Sequence, residues 1–274
     1  MQSPRHRIED SSAESECIDM ITILGLRKIG MIEPGDDLAS VILEALAAEG
    51  FKAMNGDVFV ISHKVVSKSN GLLVDISKIK PSRRAKVLSN RVKKDPHLVE
   101  MILRDSSQVI RADRQALIVR RKDGFICFNA GVDKSNVDGP SIYARLPAYA
   151  DVSANDLRRR LEKLSGRMLG VVIADTYSRP LRVGQVEFAI GVSGIEPFVD
   201  YRGLNDLYGH RLRFKLIGVA DEIAAAAELV MGQGAEGIPV ALVRGLTRIT
   251  RTNALGLSKR LLVGKRIDLF KKAF

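Results

Sequence analysis

Apolar residues recur at helical spacing in some stretches and in unbroken runs in others. Leu38, Val41, Ile42 and Leu46 form a stripe behind Asp36 and Asp37, and Gly50 stands as a C′ residue, so a helix is expected between them. Gly56-Asp57 then turns into Val58-Phe59-Val60-Ile61, a continuous apolar run that reads as a buried strand. A more polar helix begins near Ser82, and Asp95-Pro96 starts another with Pro96 at its first position. Residues 115–120 and 125–129 flank Arg121-Lys122-Asp123-Gly124, whose Asp-Gly pair predicts a β-hairpin.

The next helix is expected to be capped by Ser153, with Leu157, Leu161 and Leu164 inward and Gly166 at its end. Residues 171–173 form a strand expected to stop at Asp175-Thr176. The Ala-rich stretch 220–231 is helical, and a loop over 232–237 leads into a strand over 238–243. Strands and helices interleave without strict βαβ regularity, which predicts an α+β (mixed α/β) fold. No internal repeat or low-complexity linker divides the chain.

Composition narrows the class. The 274 residues are 46% hydrophobic and 27% charged, so the chain can bury a sizeable core and is neither disordered nor fibrous. Two cysteines, Cys17 and Cys127, are too few for a disulfide scaffold and fit a reducing, cytoplasmic setting. Residues 1–17 are polar and lack the apolar region of a signal peptide, so a mobile extension is expected ahead of a catalytic domain over 18–245. No apolar stretch approaches the ~20 residues that cross a bilayer.

The net charge of +11 invites a nucleic-acid reading, but residues 244–274 hold nine basic side chains against one acid, so the excess is local. In the segment 246–274, Leu255, Leu257, Leu261, Leu262, Ile267, Leu269 and Phe270 alternate with the cations. That segment is either a basic amphipathic helix for nucleic acid or an anionic membrane, or a helix packed on the domain. Packing is the favoured expectation, with no nucleic acid and no membrane as partners.

Three segments offer chemistry. Ser62-His63-Lys64-Val65-Val66-Ser67-Lys68 puts two lysines and short donors at a strand's exit, which suits an anion; a solvated basic loop would look the same. Asn129-Ala130-Gly131-Val132-Asp133-Lys134-Ser135-Asn136 places oxygen ligands beyond a strand, as hard divalent cations require, although such clusters also simply turn the chain. Asp175-Thr176-Tyr177-Ser178-Arg179-Pro180-Leu181-Arg182 sets a carboxylate and a hydroxyl at the end of a buried strand, as phosphoryl-transfer enzymes do to hold magnesium.

A fourth segment warns against over-reading. Gly232-Gln233-Gly234-Ala235-Glu236-Gly237 matches G-x-G-x-x-G, yet it follows a helix and opens a strand, the reverse of the dinucleotide fingerprint. Its backbone donors could still cradle phosphates. No P-loop motif, zinc spacing or nucleophile elbow occurs, and Cys127 lies mid-strand, where a buried inert thiol is expected.

The blocks 56–68, 129–136, Asp175-Thr176, 184–191, 200–203, 221–232 and 238–245 together resemble one family, the coenzyme F420-0:L-glutamate ligases, in order over about 21–245. The resemblance implies a family-specific α+β fold, neither Rossmann nor P-loop, working as a homodimer. It implies a GTP-dependent ligase that forms an amide between L-glutamate and F420-0 through an acyl phosphate, with further γ-linked glutamates as an extension. Two divalent cations, Mg2+ or Mn2+, are implied at each site, with K+ as an additional ion. The first would sit on Asp133 and Asp175, the second on Thr176 and Gln233.

GTP would contact Leu26, Arg27, Lys28 and Ile29, then His63, Lys64 and Lys68, then Asn136. It would also contact the loop of Met231, Gly232, Gln233, Gly234, Ala235, Glu236, Gly237 and Ile238. Lys64, Lys68, Arg179 and Arg182 would neutralise reacting anions. A related γ-glutamyl ligase acting on a folate-like or modified F420 acceptor is the alternative left open.

Overall fold

The computed structural model describes residues 20–178 and 182–264. The chain opens with β1 (Thr22–Gly25), α1 (Leu38–Ala48), β2 (Val58–Ser62) and α2 (His63–Ser69). A middle section holds β3 (Leu73–Asp75), α3 (Arg83–Val92), α4 (Pro96–Asp105), β4 (Ser106–Ala112), β5 (Leu117–Arg121), β6 (Ile126–Phe128) and β7 (Ile142–Ala144). The chain then returns through α5 (Ala150–Ser165), β8 (Gly170–Ser178), β9 (Gln185–Ser193), β10 (Val199–Asp200), β11 (Leu216–Ile217), α6 (Val219–Met231) and β12 (Val240–Arg244). Helices and mixed sheets make this the expected α+β fold.

The central sheet runs β1-β12-β2-β8-β9, antiparallel except for the parallel pair β2–β8. Phe59 and Ile61 of β2 face one core with α1 and α5, while Val58 and Val60 face another with α6. Helices on both faces explain why β2 reads as an unbroken apolar run. A third core lies in the middle section, where α3 and α4 cover β4-β5-β6.

Local caps set the helix starts. Asp37 accepts from the Ala39 N–H, Ser82 from Ala85, and Asp95 from His97 and Leu98, each bond contributing about 1 kcal/mol. The Asp-Gly hairpin also forms, joining β5 to β6 with Gly124 at φ +104°.

Two expectations need correcting. Helix α5 starts at Ala150, one turn before Ser153, behind Tyr149, which gives no side-chain cap. Its Asp151 carboxylate instead accepts from the Val192 and Ser258 backbones, a tertiary role for what would otherwise be a local cap. The inward stripe runs over Ala150, Ala154, Leu157 and Leu161, and Leu164 is instead 54% exposed. Strand β8 does not stop at Asp175-Thr176 but continues to Ser178, because β9 keeps pairing with it past a register shift between Ile173 and Ala174.

The expected extension over 1–17 lies outside the described residues, as does the basic segment beyond 264. Between 246 and 264, a single 3-10 turn (Ser258–Leu261) stands in place of a continuous helix, and Leu257 is buried in the α6-side core. Among the described residues no helix is long and apolar enough to cross a membrane.

Candidate active site

The parallel strands β2 and β8 end side by side, with Ser62 opposite Ala174. From Ser62 the chain turns directly into α2, rather than the loop its polar residues suggest. This puts Lys64 and Lys68 one helical turn apart on one face, while Val65, Val66 and Ser67 are buried. His63 opens the helix fully buried, with Nε2 3.3 Å from Asp175 Oδ1.

Asp133 arrives from the other side. Its backbone exchanges two hydrogen bonds with Ala144, fixing the loop that follows β6. Lys64 Nζ lies 2.9 Å from Asp133 Oδ2 and also donates to Ser135 Oγ. Ser135 in turn donates its N–H and its hydroxyl to the same carboxylate, each at 2.9 Å. The first turn of α2 therefore bridges two acids from distant stretches, Asp175 through His63 and Asp133 through Lys64.

Their electrostatics differ. Asp175, its side chain 16% exposed, is raised to about 7, by burial first and then by the nearby Asp133 charge. Burial also pushes Asp133 up, but hydrogen bonds from Ser135 and Lys64 outweigh it and the carboxyl ends below its ordinary value. Burial, reinforced by the Lys64 charge, lowers His63 to about 3, so the ring is neutral beside Asp175, and its Nδ1 is buried with no hydrogen-bond partner.

Thr176 builds a second cluster. Its Oγ1 lies 3.0 Å from Gln233 Oε1 and 3.0 Å from Glu187 Oε1, and Gln233 Nε2 donates to Glu187 Oε1 at 2.7 Å. Glu187 stands directly opposite Thr176 in the β8–β9 ladder. Sequence reasoning passed over it, although an acid between Val186 and Phe188 on a buried strand was a visible signal. Burial, then the Asp175 charge, raises it to about 7.

A cavity of about 530 Å³ opens beside both clusters, lined by Lys64, Lys68, Asn136, Glu187 and the segment 231–239. Met231 ends α6, and the glycine-rich loop runs on to Ile238 and β12, so its order is indeed helix, loop, strand. Gly232 sits at φ +70° and ψ 174°, a backbone conformation that only glycine adopts without strain. Glu236 accepts from the Gly234 N–H, and Asn136 Nδ2 reaches the Gly234 carbonyl at 3.2 Å.

Other expected residues fall elsewhere. Leu26 and Ile29 are core side chains, while Lys28 donates to the Ala48 carbonyl at the end of α1 and the Arg27 N–H bonds Glu49. It is the next residues, Gly30, Met31 and Ile32, that line the cavity. Arg182 is exposed beyond the end of β8, and Arg179 lies outside the described residues.

The donors fit magnesium or manganese. Among the described residues no three His, Cys, Asp or Glu side chains converge to hold an ion by themselves. The donors are instead hard oxygens in small sets beside a cavity whose lining includes Lys64 and Lys68 as well as Asp138, Glu187 and Glu236. Magnesium binds this way, through one or two carboxylates, with substrate phosphates and water completing its shell.

Comparison with known proteins gives a consistent picture. A family model described as F420-0:Gamma-glutamyl ligase matches residues 27–245. The chain is similar to the coenzyme F420:L-glutamate ligase of Methanothermobacter thermautotrophicus, 43% identical over 225 residues, 82% of this chain and 89% of that protein. It is 46% identical over 215 residues to the protein of the same name from Methanopyrus kandleri, covering 78% of this chain and 83% of the relative. Against that of Archaeoglobus fulgidus it is 41% identical over 226 residues, covering 82% and 88%.

Proposed function

The chain belongs to the F420-0:Gamma-glutamyl ligase family, and from that premise we propose that it joins L-glutamate to coenzyme F420-0 in an amide bond, using GTP. The relatives' names support the glutamate ligation. The observation that carries the finer reading is the meeting of Asp133 and Asp175 across the first turn of α2, beside a cavity walled by Lys64 and Lys68.

A carboxylate resists attack by an amine because it is a poor electrophile. In the proposed reaction an F420-0 carboxylate oxygen attacks the γ-phosphorus of GTP, the bond to the β-phosphate breaks, and GDP leaves. The glutamate amine then attacks the acyl carbon, the C–N bond forms, phosphate departs with the former carboxylate oxygen, and the amine gives up a proton. Lys64 and Lys68 donate to phosphate oxygens from their shared helical face, beside the glycine loop that lines the same cavity. Asn136, bonded to Gly234, ties the loop that carries Asp133 to the glycine loop, so that both would address one ligand.

Asp133 and Asp175 would hold one divalent cation, and Thr176 with Gln233 a second. When bound, these ions neutralise the phosphate charge that otherwise repels the attacking carboxylate. Positioning and charge compensation are the main catalytic terms in such transfers.

Leu207, Tyr208 and Phe214 are almost wholly exposed between β10 and β11, large apolar side chains that a second copy could cover, and light scattering tests the homodimer.

Mass spectrometry of products from F420-0, glutamate and either GTP or ATP tests the reading. Addition of one glutamate residue with GTP alone is expected. An unmodified F420-0, with a folate-like acceptor glutamylated instead, would overturn the acceptor assignment.

A further inference from the structure

Glu187 has no part in the mechanism above, yet its placement is unusual for a carboxylate. The side chain is buried, 5% exposed, and forms part of the cavity wall. One oxygen, Oε1, meets both Thr176 and Gln233, while Oε2 is buried with no hydrogen-bond partner. A buried unpaired carboxylate oxygen is costly and calls for a partner.

The oxygen spacing indicates which partner fits. Thr176 Oγ1 lies 3.0 Å from Glu187 Oε1 and 3.0 Å from Gln233 Oε1. A hydroxyl carries one proton, so it cannot donate fully to both. Neighbouring oxygens in an octahedral shell at 2.0–2.1 Å from magnesium stand about 3.0 Å apart. Thr176 and Gln233 are also neutral donors, whereas magnesium sites generally include a carboxylate. Asp133 and Asp175 are engaged on the other side, with Lys64 and His63.

We propose that Glu187 is the anionic ligand of the second cation and orients Thr176 and Gln233 toward it. The inference rests on the two-cation reading of the site.

The test counts Mn2+ bound to the full-length protein by electron paramagnetic resonance, with GDP present to supply phosphate oxygens. Wild type is expected to bind two ions, and E187Q to keep one while its affinity for the other falls at least tenfold. D133N is expected to weaken the opposite ion, which identifies the sites. Two ions bound with unchanged affinity by E187Q would overturn the role of Glu187 and leave the ligase reading standing. Fewer than two ions on the wild type would overturn the two-cation reading, and this inference with it. Thermal melting without metal checks that E187Q folds; if it does not, E187D, with charge kept and reach shortened, is expected to lose affinity at the same ion, and wild-type binding by it counts against the proposal.

Discussion

Lys64 Nζ and Asp133 Oδ2 stand 2.9 Å apart, joining a helix that continues β2 to a loop that follows the β5–β6 hairpin. The lysine compensates the carboxylate and walls the cavity at the same time. In K64M both contributions vanish, and burial is then less opposed in raising the Asp133 pKa. GDP formation dependent on F420-0 and glutamate is expected to fall about 10²–10³-fold, the usual cost of one charge-stabilising donor. Turnover within a few-fold of wild type would remove Lys64 from the reacting centre.

Asp175 makes the metal-free protein pH-sensitive. Its folded pKa of about 7 lies above its ordinary 3.8, so the folded state holds a proton the unfolded state has released across that window. Its contribution to stability therefore declines as pH rises from about 4 to about 7. In EDTA, urea midpoints at about pH 5 and about pH 8 are expected to differ less in D175N than in wild type. The same variant should lose glutamate-dependent GDP release while staying folded. An equal or larger pH difference in D175N would contradict the assignment.

Arg244 begins the basic C-terminal stretch but serves the fold. It makes two 2.8 Å bonds to Asp57, whose side chain is 1% exposed and also accepts from the Met54 N–H. R244A strands a buried charge and should cost about 3–5 kcal/mol in urea unfolding. A loss below about 1 kcal/mol would place the pair among surface bridges of little weight.

Cys127 should be chemically silent. Burial first, with the Asp175 charge adding to it, pushes its thiol up to about 12, so no appreciable thiolate exists near neutral pH. In a Cys17→Ser background, iodoacetamide at about pH 8 should label Cys127 only after denaturation. Rapid labelling of the native protein would show that the strand opens.

Gly191 lets β9 pass under α5. A Cβ there would lie 2.6 Å from the Ala150 carbonyl carbon and oxygen, backbone atoms that cannot swing aside. G191A is expected to destabilise by at least about 1–3 kcal/mol, measured by thermal unfolding.

What could be read from sequence was the physics of short range. Three helices begin beside Asp37, Ser82 and Asp95 as expected, because the caps these side chains make close within three residues. Ser153 misled because the true start depends on Asp151 serving Val192 and Ser258, far along the chain. The lysines, acids and glycine loop were legible as chemistry. That Lys64 and Lys68 share a helical face depends on the chain entering α2 directly from β2. That Glu187 sits opposite Thr176 depends on a ladder register shifted between Ile173 and Ala174. Such pairings emerge only when remote strands meet.

The parallel ladder of β2 and β8 sets a condition on how this enzyme comes into being. Its two strands are separated in the chain by the whole middle section, and each is only one half of a socket until the other docks. A ribosome releasing the chain through α4 has made the lysines but has nothing for them to grip against. Closing so long a loop is the slow part of folding for such topologies. The two halves of the candidate site are thus expected to come together late, and cutting the chain anywhere between β2 and β8 should silence both pieces until they find each other again.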